Sequence, residues 1–334
     1  MFLFLQRAVE VYMEECHSRQ LRPKTMLSYE HTLRLFSFWL TGRKKISRIE
    51  DIKEKHIREY IIELQTRGKY TVRPSGYEQN FPENRKDYEK SVSSITINNY
   101  LRNMKAFFSW AQETEIISAT PMRRIKALPE ERKPREYLED DEVKELLRCL
   151  DKSYFPDYRD YIAIMLMLDS GTRLGETLSI EIDEVDLIAK CVHLPASKTK
   201  GRKSRTVFFS SRTATEMRRW LEFKDRYCES EYLFPVKHSG GMLRTADFEK
   251  NFRKYLKRIG VKKHITPHTL RNNFAKRCLL AGMDIYTLSR LLGHASVEMT
   301  EKAYLDITSN DLKMKYTQFS PVEGIFENRR SRVR

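Results

Sequence analysis

Glycine and proline are scarce in this 334-residue chain, at 12 and 11. That excludes collagen-like and low-complexity classes and favours helix over loop. Cysteine is scarce too. Cys16, Cys149, Cys191, Cys228 and Cys278 are odd in number, widely spaced and without a Cys-x-x-Cys pair. The pattern argues against a disulfide framework and against a zinc site, and a reducing, cytoplasmic setting is the expectation. Long apolar runs are missing. The best stretch, Tyr161–Leu168, ends at Asp169 and falls far short of the roughly 18 residues that suggest a membrane-spanning helix. Met1–Leu5 is apolar but has no basic leader and is soon followed by Arg7 and Glu10, unlike a signal peptide. No membrane association is expected.

Negative charge is the minority sign. The chain holds 46 Asp+Glu against 62 Lys+Arg, a formal +16, with 40% hydrophobic and 11% aromatic residues. Such a chain builds packed cores and is no disordered polycation. Its excess charge calls for an acidic partner, nucleic acid before an anionic membrane. The charge is shared: residues 1–134 hold 25 basic and 17 acidic residues and residues 135–334 hold 37 and 29, so each part is +8. At roughly 100–200 residues per domain the length suggests about two domains, and the even split suggests that both meet one polyanion.

The first part reads as a helical bundle. Apolar residues recur at helical spacing over Leu3–His17, Thr25–Leu40, His56–Leu64 and Ile95–Ala111. Residues 68–90 are polar, contain Pro74, Gly76 and Pro82, and read as a loop insertion. Residues 121–136 hold three prolines and six basic residues, Arg123, Arg124 and Lys126 among them, which is a linker composition. Beyond it, helices are expected at Glu139–Cys149, Asp160–Leu168, Arg212–Lys224, Thr245–Arg258, Pro267–Leu280, Ile285–Leu292 and Val297–Leu305. Short strands, Cys191–Leu194 and Thr206–Phe209, flank a polar turn. The fold class is therefore mainly α with a small antiparallel β-hairpin or sheet, in two domains. After Ile307 one more helix, Asp311–Phe319, precedes an arginine-rich end, Arg329–Arg334.

Four signals carry chemistry, and each has a plain structural reading. Gly171-Thr172-Arg173-Leu174-Gly175-Glu176 follows an apolar helix; it fits a C-capping glycine and a surface ion pair, or an arginine oriented by Glu176. Between Lys198 and Arg205 lie Lys200, Arg202 and Lys203. A solvated hairpin tip is common, but five like charges repel unless a polyanion faces them. Thr266-Pro267 starts a helix on which His268 and Arg271 stand one turn apart near the positive end. Leu292-Gly293-His294 reads as a helix C-cap and turn, and Tyr304 sits ten residues after His294. A lone tyrosine there is usually core. Taken together, two arginines can grip a phosphodiester, lysine and histidine can move protons, and a tyrosine hydroxyl can attack phosphorus.

In that order these motifs resemble the tyrosine recombinase, or phage integrase, family. The resemblance covers residues 137–308 as a catalytic domain and, more weakly, residues 1–120 as a SAM-like core-binding domain. It implies Tyr304 as nucleophile, Arg173 and Arg271 clamping the scissile phosphate, and Lys198 as general acid. It further implies that His268 assists the tyrosine's proton transfer, His294 hydrogen-bonds the phosphate and Glu176 supports Arg173. Lys200, Arg202, Lys203, Arg205, Arg123, Arg124 and Lys126 would contact DNA. Lys200 stays open as the acid, since Lys198 fits a Ser-Lys-Thr hairpin and Lys200 a Lys-Gly one. Asn272 stands where histidine is frequent, and Ala303 lengthens the histidine-to-tyrosine interval by one.

The family resemblance implies no cofactor and no metal. The partners it implies are duplex DNA bearing a specific recombination site and further copies of the chain. Four copies would act on two sites through a Holliday junction, with the two domains as a clamp and the tail (residues 309–334) exchanged between protomers. A type IB topoisomerase, or a DNA-binding protein with a degenerate site, are the competing classes.

Overall fold

The computed structural model describes residues 3–72, 82–130, 136–199, 201–294 and 296–304, together with 316 and 322. The chain divides into two compact units, Met1–Arg132 and Lys133–Arg334. Among the described residues no helix is long and apolar enough to cross a membrane.

Among its described residues the first unit holds four α-helices, α1 (Leu5–Ser18), α2 (Pro23–Trp39), α3 (Glu54–Thr66) and α4 (Ser94–Glu113). Their apolar faces meet in one core with Leu33, Phe36, Tyr60, Leu101, Phe107 and Phe108 at its centre. Asn103, a polar side chain buried between α2 and α4, is satisfied by donating to the Ser28 carbonyl at 3.1 Å and to Thr32 Oγ1 at 2.9 Å. An unpaired amide there would cost about 1–3 kcal/mol. The polar insertion is pinned at its neck, where Lys69 N–H donates to the Lys90 carbonyl at 2.8 Å; its residues 73–81 lie outside the described residues.

The stretch expected as a linker differs from free extended chain over its first ten residues. Met122 is buried in the first core, with Ile125 and Leu128 packed on it. Asn98 on α4 fastens this stretch by accepting from Leu128 N–H at 2.7 Å and donating to its carbonyl at 3.0 Å. Three apolar residues at positions 122, 125 and 128 supply the reason: exposing them would leave an apolar stripe in water. Arg123, Arg124 and Lys126 remain exposed.

The second unit is organised around α6 (Phe155–Ser170), which follows α5 (Asp140–Arg148). Ile162, Ala163, Ile164, Leu166 and Met167 are all fully buried, as an unbroken apolar run demands when helices pack on every side. After α6 come the short α7 (Leu174–Leu178) and a three-stranded antiparallel sheet in the order β1 (Val185–Asp186), β2 (Cys191–Leu194), β3 (Arg205–Phe208). The sequence pattern shows neither α7 nor β1, because five and two residues are too few to carry a period. α8 (Ser211–Asp225), α9 (Thr245–Arg258), α10 (Pro267–Leu280), α11 (Ile285–Leu292) and α12 (Val297–Tyr304) complete the unit. The expected tail helix Asp311–Phe319 and the end Arg329–Arg334 fall almost wholly outside the described residues.

Leu166→Ala, which empties space at the centre of α6, is expected to destabilise the second unit by about 2–5 kcal/mol in denaturant unfolding. Ile188→Ala, at an exposed turn, is expected to change it by less than about 0.5 kcal/mol.

Candidate active site

α6 ends where Gly171 takes a left-handed conformation, φ +66°. A Cβ there would stand 2.3 Å from Phe274 Cδ1, so a larger residue meets both strain and a clash. The reversal delivers Thr172 into the core, where its hydroxyl bonds Thr177 Oγ1 at 2.8 Å, and leaves Arg173 at the head of α7. Glu176, only 3% exposed, closes that first turn. Its carboxylate accepts from Arg173 Nη1 at 2.9 Å and from the Arg173 backbone N–H at 3.0 Å. It also accepts two bonds from Arg205, Nη1 at 3.1 Å and Nη2 at 2.7 Å. Burial by itself would push this carboxyl up, but the hydrogen bonds and charges of Arg205 and Arg173 outweigh it and hold Glu176 at about 2.

Arg271 on α10 is 1% exposed. Its Nη1 donates to the Gly171 carbonyl and its Nη2 to the Leu292 carbonyl, both at 2.7 Å. These two carbonyls belong to the C-terminal ends of α6 and α11, the negative poles of both helices, where a cation is favoured. Gly293, left-handed at φ +63°, turns the chain out of α11 and brings His294 back to the guanidinium, Nη2 to Nε2 at 3.0 Å. Arginine only donates, so Nε2 accepts; the ring proton must lie on Nδ1 and is given to Thr300 Oγ1 at 2.7 Å. Burial and then the charges of Arg271, Arg173, His268 and Arg205 hold this imidazole at about 4, so it is neutral at pH 7. The four basic side chains named in that cause lie about one histidine, and this is the convergence of the site.

The structure thus brings together Arg173, Glu176, Arg271 and His294 as the sequence suggests. His268 shares α10 with Arg271 but is exposed at its first turn. Lys198 stands at the turn after β2 with Nζ between two carboxylates, 2.7 Å from Glu181 Oε1 and 2.7 Å from Glu184 Oε1. Burial opposes its charge, yet those two partners win and raise its pKa. Arg202 and Lys203 are exposed at the hairpin tip, and Lys200 lies outside the described residues. Position 304 is the last of α12; its side chain lies outside what is described. Thr300, fully buried and bonded to His294, anchors that helix. Position 304 shares its face one turn on, because residues four apart on a helix align. Residues three apart also share a face, so the extra Ala303 leaves 304 on the same side.

Arg205, expected among the hairpin cations that contact DNA, has its guanidinium turned to Glu176. The signal was available. Val207 is buried on β3, and alternation along a strand puts position 205 on the same inward face. Glu181, Glu184 and Thr300 were not singled out by the sequence, since nothing local marks a carboxylate or hydroxyl as a partner of a distant group.

The site can hold an anion. Arg173, Arg205 and Arg271 bring three guanidiniums around one buried carboxylate and a neutral imidazole, in a low-dielectric setting where charge interactions are strong. Arginines, a histidine and a helix ending in tyrosine are residue types suited to phosphoryl transfer, and no cluster of metal-ligating side chains occurs among the described residues.

The profile of the phage integrase family matches residues 136–311, and that of the phage integrase N-terminal SAM-like domain matches residues 10–73. The chain belongs to the phage integrase family. It is 26% identical over 311 residues to a tyrosine recombinase XerD of Listeria monocytogenes, covering 91% of this chain and 94% of the relative. The Tn1549 transposon integrase, solved in complex with a circular intermediate DNA, shares its fold with TM-score 0.69 at 18% identity, over 93% of this chain and 99% of the other. A lambda integrase, solved as a tetramer bound to a Holliday junction, shares it with TM-score 0.62 at 16% identity, over 88% and 78%.

In DNA-free protein the His294 ring is expected to titrate with a midpoint near 4, against an ordinary 6.5. A histidine whose folded value is depressed takes its proton earlier in the unfolded chain. Stability should therefore fall as pH drops from 6.5 towards 4. Carbon-13 NMR of histidine-labelled protein checks the midpoint, and a value near 6.5 would remove the acceptor role of Nε2.

Proposed function

We propose that this chain is a site-specific DNA recombinase that cuts and rejoins strands through a 3′-phosphotyrosyl intermediate and a Holliday junction. The observation that carries the reading is the convergence of Arg173, Arg271 and Arg205 about neutral His294, with the helix bearing Tyr304 fastened to that histidine by Thr300.

In the reaction the scissile phosphate takes its place between Arg173 and Arg271, whose donors match the non-bridging oxygens and offset the charge that grows in the transition state. The Tyr304 oxygen attacks phosphorus as the bond to the 5′-oxygen breaks. His268 assists removal of the tyrosine proton, and Lys198 gives its proton to the departing 5′-oxygen. The phosphodiester energy is kept in the new ester, so the free 5′-hydroxyl of a partner strand can reverse the step without ATP. In the DNA-free chain Lys198 is held by Glu181 and Glu184, and it must leave them to reach the leaving oxygen. His294 accepts from Arg271 before DNA arrives; an incoming phosphate offsets the arginine charges, favours protonation of the ring and turns Nε2 into a donor.

Both units are basic, and both contact the duplex in this reading. Arg123, Arg124 and Lys126 do so from the first unit; Lys200, Arg202 and Lys203 do so from the hairpin. The residue ranges 1–120, 121–136 and 137–308 then act as DNA-binding domain, connector and catalytic domain, and four copies assemble on two sites. The work takes place on the nucleoid or on a mobile element.

A duplex nicked next to the scissile phosphate, which lets the short fragment bearing the free 5′-hydroxyl diffuse away, should trap wild type covalently and Tyr304→Phe not at all. Arg173→Ala and Arg271→Ala should slow trapping by about 10²–10³. Supercoil relaxation without recombinant products would indicate a topoisomerase, and DNA binding without an adduct a degenerate site. Lys198→Ala should lose about 10²–10⁴ in rate and recover when sulfur replaces the bridging 5′-oxygen, because a thiolate leaves unprotonated. Recovery in Lys200→Ala instead would move the acid to Lys200.

A further inference from the structure

Arg205 opens β3, paired across the sheet with Leu194, and its guanidinium reaches two other elements. It takes both oxygens of Glu176, at 3.1 and 2.7 Å, in the bidentate geometry that fixes a carboxylate's plane. Glu176 is thereby left to engage the Arg173 guanidinium through one contact, Nη1 to Oε1 at 2.9 Å. The shaft of Arg205 lies on the turn that carries His294. A Cβ at Gly293 would stand 2.9 Å from Arg205 Cδ, 3.1 Å from Nε and 3.2 Å from Cζ. Arg205 Nε is buried without a hydrogen-bond partner, and the side chain is only 11% exposed. Those are poor terms for a DNA contact and good ones for a spacer.

We propose that Arg205 is a positioning residue for strand cleavage: it locks Glu176 against the Gly293 turn, keeps Arg173 from closing onto that carboxylate, and couples both to the hairpin. This inference rests on the recombinase reading. Glu176 without Arg205 has both oxygens available to Arg173, and an Arg173 that pairs bidentately with its own helix turns its donors away from the phosphate. Because β3 continues the hairpin whose turn bears Lys198, the same side chain ties the hairpin carrying the acid to the clamp.

The test compares covalent trapping on the nicked duplex, at saturating protein, with the salt dependence of DNA binding. Arg205→Gln is expected to slow trapping by on the order of 10², the loss typical of a small misplacement. Its slope of log affinity against log salt should match wild type. Lys203→Ala, at an exposed phosphate contact, should lower that slope by about one. If Arg205 acts through Glu176, the double variant Arg205→Gln with Glu176→Gln should be no slower than the slower single variant. Arg205→Lys keeps the charge and should recover part of the rate. Unchanged trapping in Arg205→Gln, a slope lowered by about one, or multiplied effects in the double variant would each overturn the proposal. Should Arg205→Gln fail to fold, Arg205→Lys decides the matter: slower trapping at an unchanged slope supports it, and unchanged trapping or a lower slope overturns it. Wild type that forms no adduct would defeat the recombinase reading itself, whereas adducts formed equally fast by wild type and Arg205→Gln defeat only the role of Arg205.

Discussion

Three guanidinium groups drawn together in a protein interior repel one another, and the active-site half of the second unit is arranged to make that tolerable. Glu176 answers Arg173 and Arg205 with one carboxylate, held ionised far below its ordinary range. Arg271 is answered by the carbonyls of Gly171 and Leu292 and by a histidine kept neutral. Carbonyls and a neutral ring satisfy hydrogen bonds without cancelling charge. The result is a site whose donors are fixed in place while its field still attracts an anion, the preorganisation that the proposed strand cleavage calls for.

That arrangement dictates the backbone around it. Both carbonyls that hold Arg271 can point inward only because their helices end in left-handed glycines, Gly171 at φ +66° and Gly293 at φ +63°. Gly171 lies against Phe274 and Gly293 against Arg205, so neither position has room for a Cβ. The apolar body of α6 supplies the fixed platform, and α10 packs on it to present Arg271. The site is thus assembled at helix ends and one strand, which are rigid parts of the fold, and not on a long loop.

Much of the architecture was legible because it follows periods that the chain states locally. The bounds Thr245–Arg258, Pro267–Leu280 and Ile285–Leu292 agree residue for residue with the helices expected from apolar spacing and capping signals. Elements too short for a period, α7 and β1, were not. The first ten residues of the proline-rich stretch read as linker by composition, but Met122, Ile125 and Leu128 bind them to the first core, a matter of available apolar partners that composition cannot express. The pairing of Arg205 with Glu176 is hidden for a related reason: a basic run suggests a solvated tip until strand alternation assigns alternate members inward.

The sequence by itself determined the helix periods and the glycines at reversals, since each depends on neighbours within a few residues, and the ordered set of arginine, lysine, histidine and tyrosine, since order along the chain needs no fold to be read. Tertiary structure decided which charges meet. That Glu176 serves Arg205 from 29 residues away, that Lys198 rests between Glu181 and Glu184, and that His294 is neutral because it is buried and faces Arg271, are outcomes of packing. Protonation states and hydrogen-bond partners depend on distance and burial in three dimensions, and no local spacing encodes either.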